Sequence, residues 1–131
     1  DLRDRLSLEH PRVTLRPPTP DPMGVLLGTG ILALPSLTEG FPLALAEAMA
    51  CGVACVASDC SAGVRALVED GRTGLIARRG DATHLAEQLG SLMASANLRQ
   101  RLGTAARQSV ASLRLPAVID RWEALFVDVL R

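Results

Sequence analysis

Two runs of consecutive apolar residues, Ile31-Leu32-Ala33-Leu34-Pro35 and Val53-Ala54-Cys55-Val56-Ala57, constrain this chain more than any other feature. Each has the length of a strand, and neither alternates between apolar and polar residues. A strand with one wet face alternates; a strand covered on both faces need not. The runs are therefore expected in a parallel sheet with helices on both sides. Parallel neighbours need a crossover of a dozen residues or more. The segment between the runs supplies one: Pro42 to Cys51 is mostly Ala and Leu, with Pro42 suited to a first helical turn and Gly52 to the position after the last.

The same reading extends along the chain. Gly63 to Glu69 is expected to be a short helix, Asp70 to Gly74 a turn, and Leu75-Ile76-Ala77 a third buried strand. Asp81 is expected to cap a helix reaching about Ala94, with Leu85, Leu89 and Leu92 at helical spacing. Asn97 would cap a second, carrying Leu98 and Leu102 and ending near Leu113. Leu115 to Leu130 reads as a third, with Ile119, Trp122, Leu125, Phe126 and Val129 on one packing stripe. The sheet should end near residue 77, and the helices should pack across it. Ahead of the first run, Asp1 to Glu9 reads as the tail of a helix and Val13-Thr14-Leu15 as a short strand. Four prolines between Pro17 and Pro22 make a loop, and Met23 to Leu27 one or two helical turns. The expected fold class is α/β, a Rossmann-like parallel sheet flanked by helices. It is expected to be a single domain over 1–131, incomplete at its N-terminus, with about 1–80 forming the sheet part and 81–131 the C-terminal helices.

Composition narrows the chemistry. The chain has 131 residues, with 14 basic and 14 acidic side chains; every basic one is Arg, and there is no Lys or Tyr. A Walker phosphate loop, a Schiff-base lysine and a tyrosine acid/base are thereby excluded. Zero net charge without a basic run argues against nucleic acid or anionic membrane as the main partner. The three cysteines, Cys51, Cys55 and Cys60, are odd in number and lack the C-x2-C pairing of a zinc site, so they read as small buried thiols. With no signal peptide and no apolar run of membrane-spanning length, a cytoplasmic, reducing setting is expected. His10 and His84 read as surface residues, and Arg78-Arg79 as a solvated turn.

One stretch carries chemistry: Ser36-Leu37-Thr38-Glu39-Gly40-Phe41-Pro42-Leu43-Ala44-Leu45-Ala46-Glu47. A strand ends at Pro35, a loop holds Glu39 and Gly40, and a helix begins near Pro42. Open α/β sheets place ligands at the carboxyl ends of their strands. The free N–H groups of residues about 41 to 44, with the helix dipole, favour an anion such as phosphate. Gly40 lets backbone approach a ligand. Glu47 lies about 7 Å along the axis, at 1.5 Å rise per residue, where its carboxylate can accept two adjacent hydroxyls. Hydroxyls, phosphates, then hydroxyls again describe a nucleotide diphosphate sugar. Paired carboxylates also occur in glycoside hydrolysis, but that chemistry asks for no helix N-terminus between them.

The stretch resembles the E-x7-E signature of retaining glycosyltransferases of the GT-B fold, in the large family of sucrose-synthase-like and polysaccharide-building enzymes. Glu39 and Glu47 occupy its two glutamates, and Gly40, Phe41 and Pro42 its E-G-F-P form. Glu47-Ala48-Met49-Ala50-Cys51-Gly52, Ser58 to Gly63, Glu69 to Ile76 and Gly80-Asp81 are similar to the family's following segments, in order. The resemblance implies the C-terminal, donor-binding half of such an enzyme. It implies that Glu47 binds the donor ribose and Glu39 contacts the donor sugar near the reacting carbon. The diphosphate would be held by backbone around Gly40, Phe41, Pro42 and Leu43, with Arg65 facing the donor pocket. The implied reaction is sugar transfer with retention, to a glycan, lipid or small-molecule acceptor bound by a missing N-terminal domain. Peripheral membrane association of the full-length enzyme fits the resemblance as well. No D-x-D occurs, in agreement with a family that needs no divalent metal; the co-substrate is the nucleotide sugar, and no other cofactor is implied. Ala66 stands where the family's G-x-x-E has a glutamate, Ala54 where it often has proline, and the family's upstream Arg/Lys pair is missing. The alternative reading is a non-catalytic nucleotide-sugar-binding or structural domain.

Overall fold

The computed structural model describes residues 13–130; the expected helix tail at residues 1–9 and His10 lie outside the described residues. Three strands, β1 (Ile31–Leu34), β2 (Ala54–Ser58) and β3 (Leu75–Ala77), form one parallel sheet in the order β1-β2-β3. The register pairs Leu32 with Cys55 and Ala57 with Ile76. The helices are α1 (Pro22–Leu27), α2 (Leu43–Ala50), α3 (Ala62–Leu67), α4 (Ala82–Ala94), α5 (Ala96–Ser109) and α6 (Leu115–Val129), with a 3₁₀ turn at Val110–Leu113 between the last two.

β2 shows why an unbroken apolar run was needed. All five of its residues are buried, and its side chains divide between two layers. Cys55 and Ala57 join Leu45 and Met49 of α2 and Val64 of α3 in one core. Ala54 and Val56 join Leu92 of α4 and Leu102 of α5 in the other. Helices therefore cover both faces, as the pattern implies. The β1 reading needs correcting: Ala33 is exposed and the other three residues are only half-buried. β1 is the edge of the described sheet, so cover is incomplete there.

Local sequence sets the ends of the elements. Gly52, at φ +77°, follows the α2 C-cap Cys51 in a conformation costly for other residues. Asp81 caps α4 as expected, accepting a bond from the His84 N–H at 2.8 Å. Three further expectations are corrected. Pro42 is the N-cap of α2 and not its first turn. Ser95, not Asn97, caps α5: its extended backbone ends α4, and its hydroxyl accepts from the Leu98 N–H at 3.1 Å. Val13-Thr14-Leu15 is not a strand; it is exposed and irregular, because the described sheet offers it no pairing partner.

α4 and α5 pack across the sheet, but α6 does not. None of its residues is buried, and Ile119, Trp122, Leu125, Phe126 and Val129 remain 44–72% exposed. The stripe exists, and Trp122 stacks tilted on Phe126 at 5.7 Å. Among the described residues, however, α6 touches mainly the 3₁₀ turn. No helix among the described residues is long and apolar enough to cross a membrane.

Candidate functional site

β1 carries the chain to the carboxyl edge of the sheet, and Pro35 ends it. In the loop that follows, the Ser36 hydroxyl donates to Glu39 Oε1 at 2.6 Å, and both residues are half-buried. Gly40 comes next. Its φ is not positive, and a Cβ there would meet no atom within 4 Å. Neither backbone conformation nor internal packing demands glycine at 40, so its bareness leaves room only outside the protein. Gly63, at the start of α3, is the opposite case. A Cβ there would overlap the Gly40 carbonyl oxygen and approach the Phe41 Cα at 3.2 Å. The glycine in α3 lets that helix press on the loop and fix its height.

α2 then starts with an open amino end. Pro42 has no side-chain cap, and its carbonyl accepts from the N–H groups of Leu45 and Ala46 at 3.1 and 3.2 Å. The N–H groups of Gly40, Phe41, Leu43 and Ala44 find no acceptor among the described residues. α1, α3, α4 and α5 each close their amino ends with their own side chain, from Asp21, Ser61, Asp81 and Ser95; α6, away from the strand ends, has no side-chain cap either. The α2 amino end thus turns unsatisfied amides, and the positive end of the helix dipole, outward.

Glu47 lies one turn and more along α2, exposed and without a hydrogen-bond or ionic partner among the described residues. With Phe41, Leu43 and Ala50 it lines a cleft of about 400 Å³ that the 3₁₀ turn closes with Leu113 and Arg114. The apolar and cationic far wall is visible only in three dimensions.

Arg65 pairs with Asp59 at the start of α3. Its Nε and a terminal nitrogen donate to the two Asp59 carboxylate oxygens at 2.6 and 2.8 Å. That bidentate bond holds the Asp59 carboxyl below its ordinary range and raises the guanidinium. Asp59 was not singled out, and only its six-residue separation from Arg65 across the start of α3 could have signalled the pair. Burial pushes the Cys55 thiol up to about 12, which makes it an inert core residue. His84 Nδ1 accepts from the Arg78 N–H at 3.0 Å and so serves the turn that starts α4. No cluster of three or more metal-ligating side chains occurs among the described residues.

Comparison with known proteins bears on the fold and the family. The family described as "Glycosyl transferases group 1" matches residues 3–109. N-acetyl-alpha-D-glucosaminyl L-malate synthase of Bacillus anthracis is 34% identical over 108 residues, covering 82% of this chain and 28% of that protein. The structure of sucrose-phosphate synthase from Thermosynechococcus elongatus superposes with a TM-score of 0.83 at 26% identity, over 98% of this chain and 33% of that one. Anabaena HepE, solved with UDP and glucose, gives 0.82 at 26% identity, over 97% and 34%. The chain thus spans about a third of the length of these proteins.

Proposed function

The chain belongs to the group 1 glycosyl transferases, and on that premise we propose that it is the donor-binding domain of a retaining glycosyltransferase acting from a nucleotide diphosphate sugar. The observation that carries the reading is the open amino end of α2, set between Glu39 and Glu47 at the carboxyl edge of a parallel sheet.

In this reading the amides of Gly40, Phe41, Leu43 and Ala44 hold the diphosphate, with Pro42 contributing its fixed backbone. They stabilise the charge that grows on it as the sugar leaves; donors already aimed at developing charge need no reorganisation during reaction. Glu47 accepts both ribose hydroxyls, and Glu39 lies against the sugar near the anomeric carbon. Arg65, held along one edge of its guanidinium by Asp59, keeps its other terminal nitrogen available to a donor at this end of the sheet. The E-x7-E spacing supports transfer with retention. The acceptor, whether glycan, lipid or small molecule, would bind to a further domain of a longer chain, which closes over the site and excludes water. That UDP, or UDP-glucose, is bound in structures of HepE supports a nucleotide sugar as the donor class.

Glu47→Ala tests the reading. Each charge-assisted hydrogen bond to a ribose hydroxyl contributes about 1.5–3 kcal/mol at most, so affinity for a nucleoside diphosphate should fall tenfold or more by calorimetry. The melting temperature should not fall, because Ala is the better helix former. Equal affinity in wild type and variant would remove Glu47 from the site. The chain alone should bind only in the high micromolar to millimolar range, roughly 4–6 kcal/mol, and transfer no sugar. Robust transfer by these 131 residues would show that the site is complete without a second domain.

A further inference from the structure

We propose that Ser36 is a positioning residue for Glu39: its hydroxyl holds one carboxylate oxygen so that the other is presented to the donor sugar. The inference rests on the donor-binding reading above and assigns a role to a side chain that the paired glutamates leave out. The Ser36 Oγ to Glu39 Oε1 distance is 2.6 Å, within the range of a hydroxyl bonded to an ionised carboxylate. Glu39 has no other hydrogen-bond or ionic partner among the described residues, so this is the one polar contact that orients its carboxylate there, at the end of three rotatable bonds.

The backbone beneath is fixed from both directions. Pro35 and Pro42 bracket the loop, and Gly63 meets the Gly40 carbonyl from α3. A fixed backbone with a free carboxylate would still leave the sugar contact loose. The Ser36 bond removes that freedom before the donor arrives, which is how a supporting hydrogen bond contributes to a binding or catalytic contact. Oε1 is committed to Ser36, Oε2 bonds to no described residue, and the backbone at the next residue, Gly40, faces open space.

A merely structural bond would act on every ligand of the loop alike; a positioning bond acts only where Glu39 touches. The experiment therefore measures, by NMR titration of this chain, affinities for UDP-glucose, UDP-N-acetylglucosamine and GDP-mannose, each beside its bare diphosphate. Variants are Ser36→Ala, Ser36→Thr, Glu39→Ala and the Ser36→Ala/Glu39→Ala double. For whichever sugar strengthens binding in wild type, Ser36→Ala should weaken the nucleotide sugar about three- to tenfold, the usual worth of one hydrogen bond, and leave the diphosphate unchanged. Ser36→Thr should restore it, and the double variant should bind no worse than Glu39→Ala alone.

Without any ligand, the Glu39 carboxyl ¹³C resonance should move in Ser36→Ala and stay in Ser36→Thr. Equal weakening of sugar and diphosphate, no weakening of either, a further loss in the double variant, or an unmoved carboxyl resonance would each overturn the proposal. Failure of wild type to bind any diphosphate would instead overturn the donor-binding reading itself, while the carboxyl resonance still reports whether the bond exists.

Discussion

Three helices begin where the three parallel strands end, and they do not begin alike. After β3, α4 opens under Asp81, whose carboxylate takes the His84 N–H at 2.8 Å and the Arg78 guanidinium at 2.9 Å. After β2, α3 opens under Ser61, whose hydroxyl takes the Val64 N–H at 3.2 Å. After β1, α2 opens under a proline that can neither cap nor donate. All three follow parallel strands of one sheet, and they differ in the residue at the cap. Two amino ends are closed by the protein's own side chains and serve the fold. The third leaves its amides without acceptors among the described residues, at a cost in helix stability that a Ser or Asp there would have avoided.

Two glycines in similar contacts separate those roles most sharply. A Cβ at Gly63 would overlap the Gly40 carbonyl oxygen, and a Cβ at Gly103 would overlap the Gly52 carbonyl oxygen at the far end of α2. Overpacking of this kind costs about 1–3 kcal/mol, so Gly63→Ala and Gly103→Ala should lower thermal stability by similar amounts. Only Gly63→Ala displaces the Gly40 loop, and it should lower nucleoside diphosphate affinity at least tenfold in the folded protein. Parallel loss of affinity in both variants would mean that the amino end of α2 is not special.

Removing a closed cap should do the reverse. Ser95→Ala at α5 is expected to cost about 1 kcal/mol of stability and to leave nucleotide affinity unchanged, by denaturant melts and calorimetry on the same samples.

The smallest effect concerns acid. Asp59 is held below its ordinary value of 3.8, first by the Arg65 hydrogen bond; Asp81 is held below it too, first by the His84 N–H. Lowered carboxylates stabilise the fold above their unfolded value, and that contribution fades as pH falls through the folded value. Stability should therefore be level from neutral pH to about 5 and decline below about 4. Asp81→Asn should blunt the decline without touching the α2 site.

Much of this was legible in the residues, for physical reasons that differ by element. β2 was plain because burial on both faces forces an unbroken apolar run. β1 carries the same kind of run yet lies at an edge, because a run records what a strand tolerates and not what covers it. The stripe on α6 was legible as a period, but a period names no partner, and the described residues leave it exposed. Glu39, Gly40, Pro42 and Glu47 stood out through their order along one strand–loop–helix unit. The Ser36 hydrogen bond, the Arg65–Asp59 pair and the Arg114 wall did not, since each depends on how loops bring residues together. The cap at Ser95 was missed for a smaller reason: Asn97 is an equally good capping type two residues on, and only the backbone decides between them.

The most direct measurement is a titration of the ¹⁵N-labelled chain with UDP, followed by amide resonance. We expect saturable shifts at Gly40, Phe41, Leu43 and Ala44, spreading along α2 to Glu47, with the His84 and Val64 amides at the two closed helix ends unmoved. Shifts of equal size at all three helix starts, or none at residues 40–44 when UDP binds elsewhere, would contradict the assignment of the open α2 end as the diphosphate site.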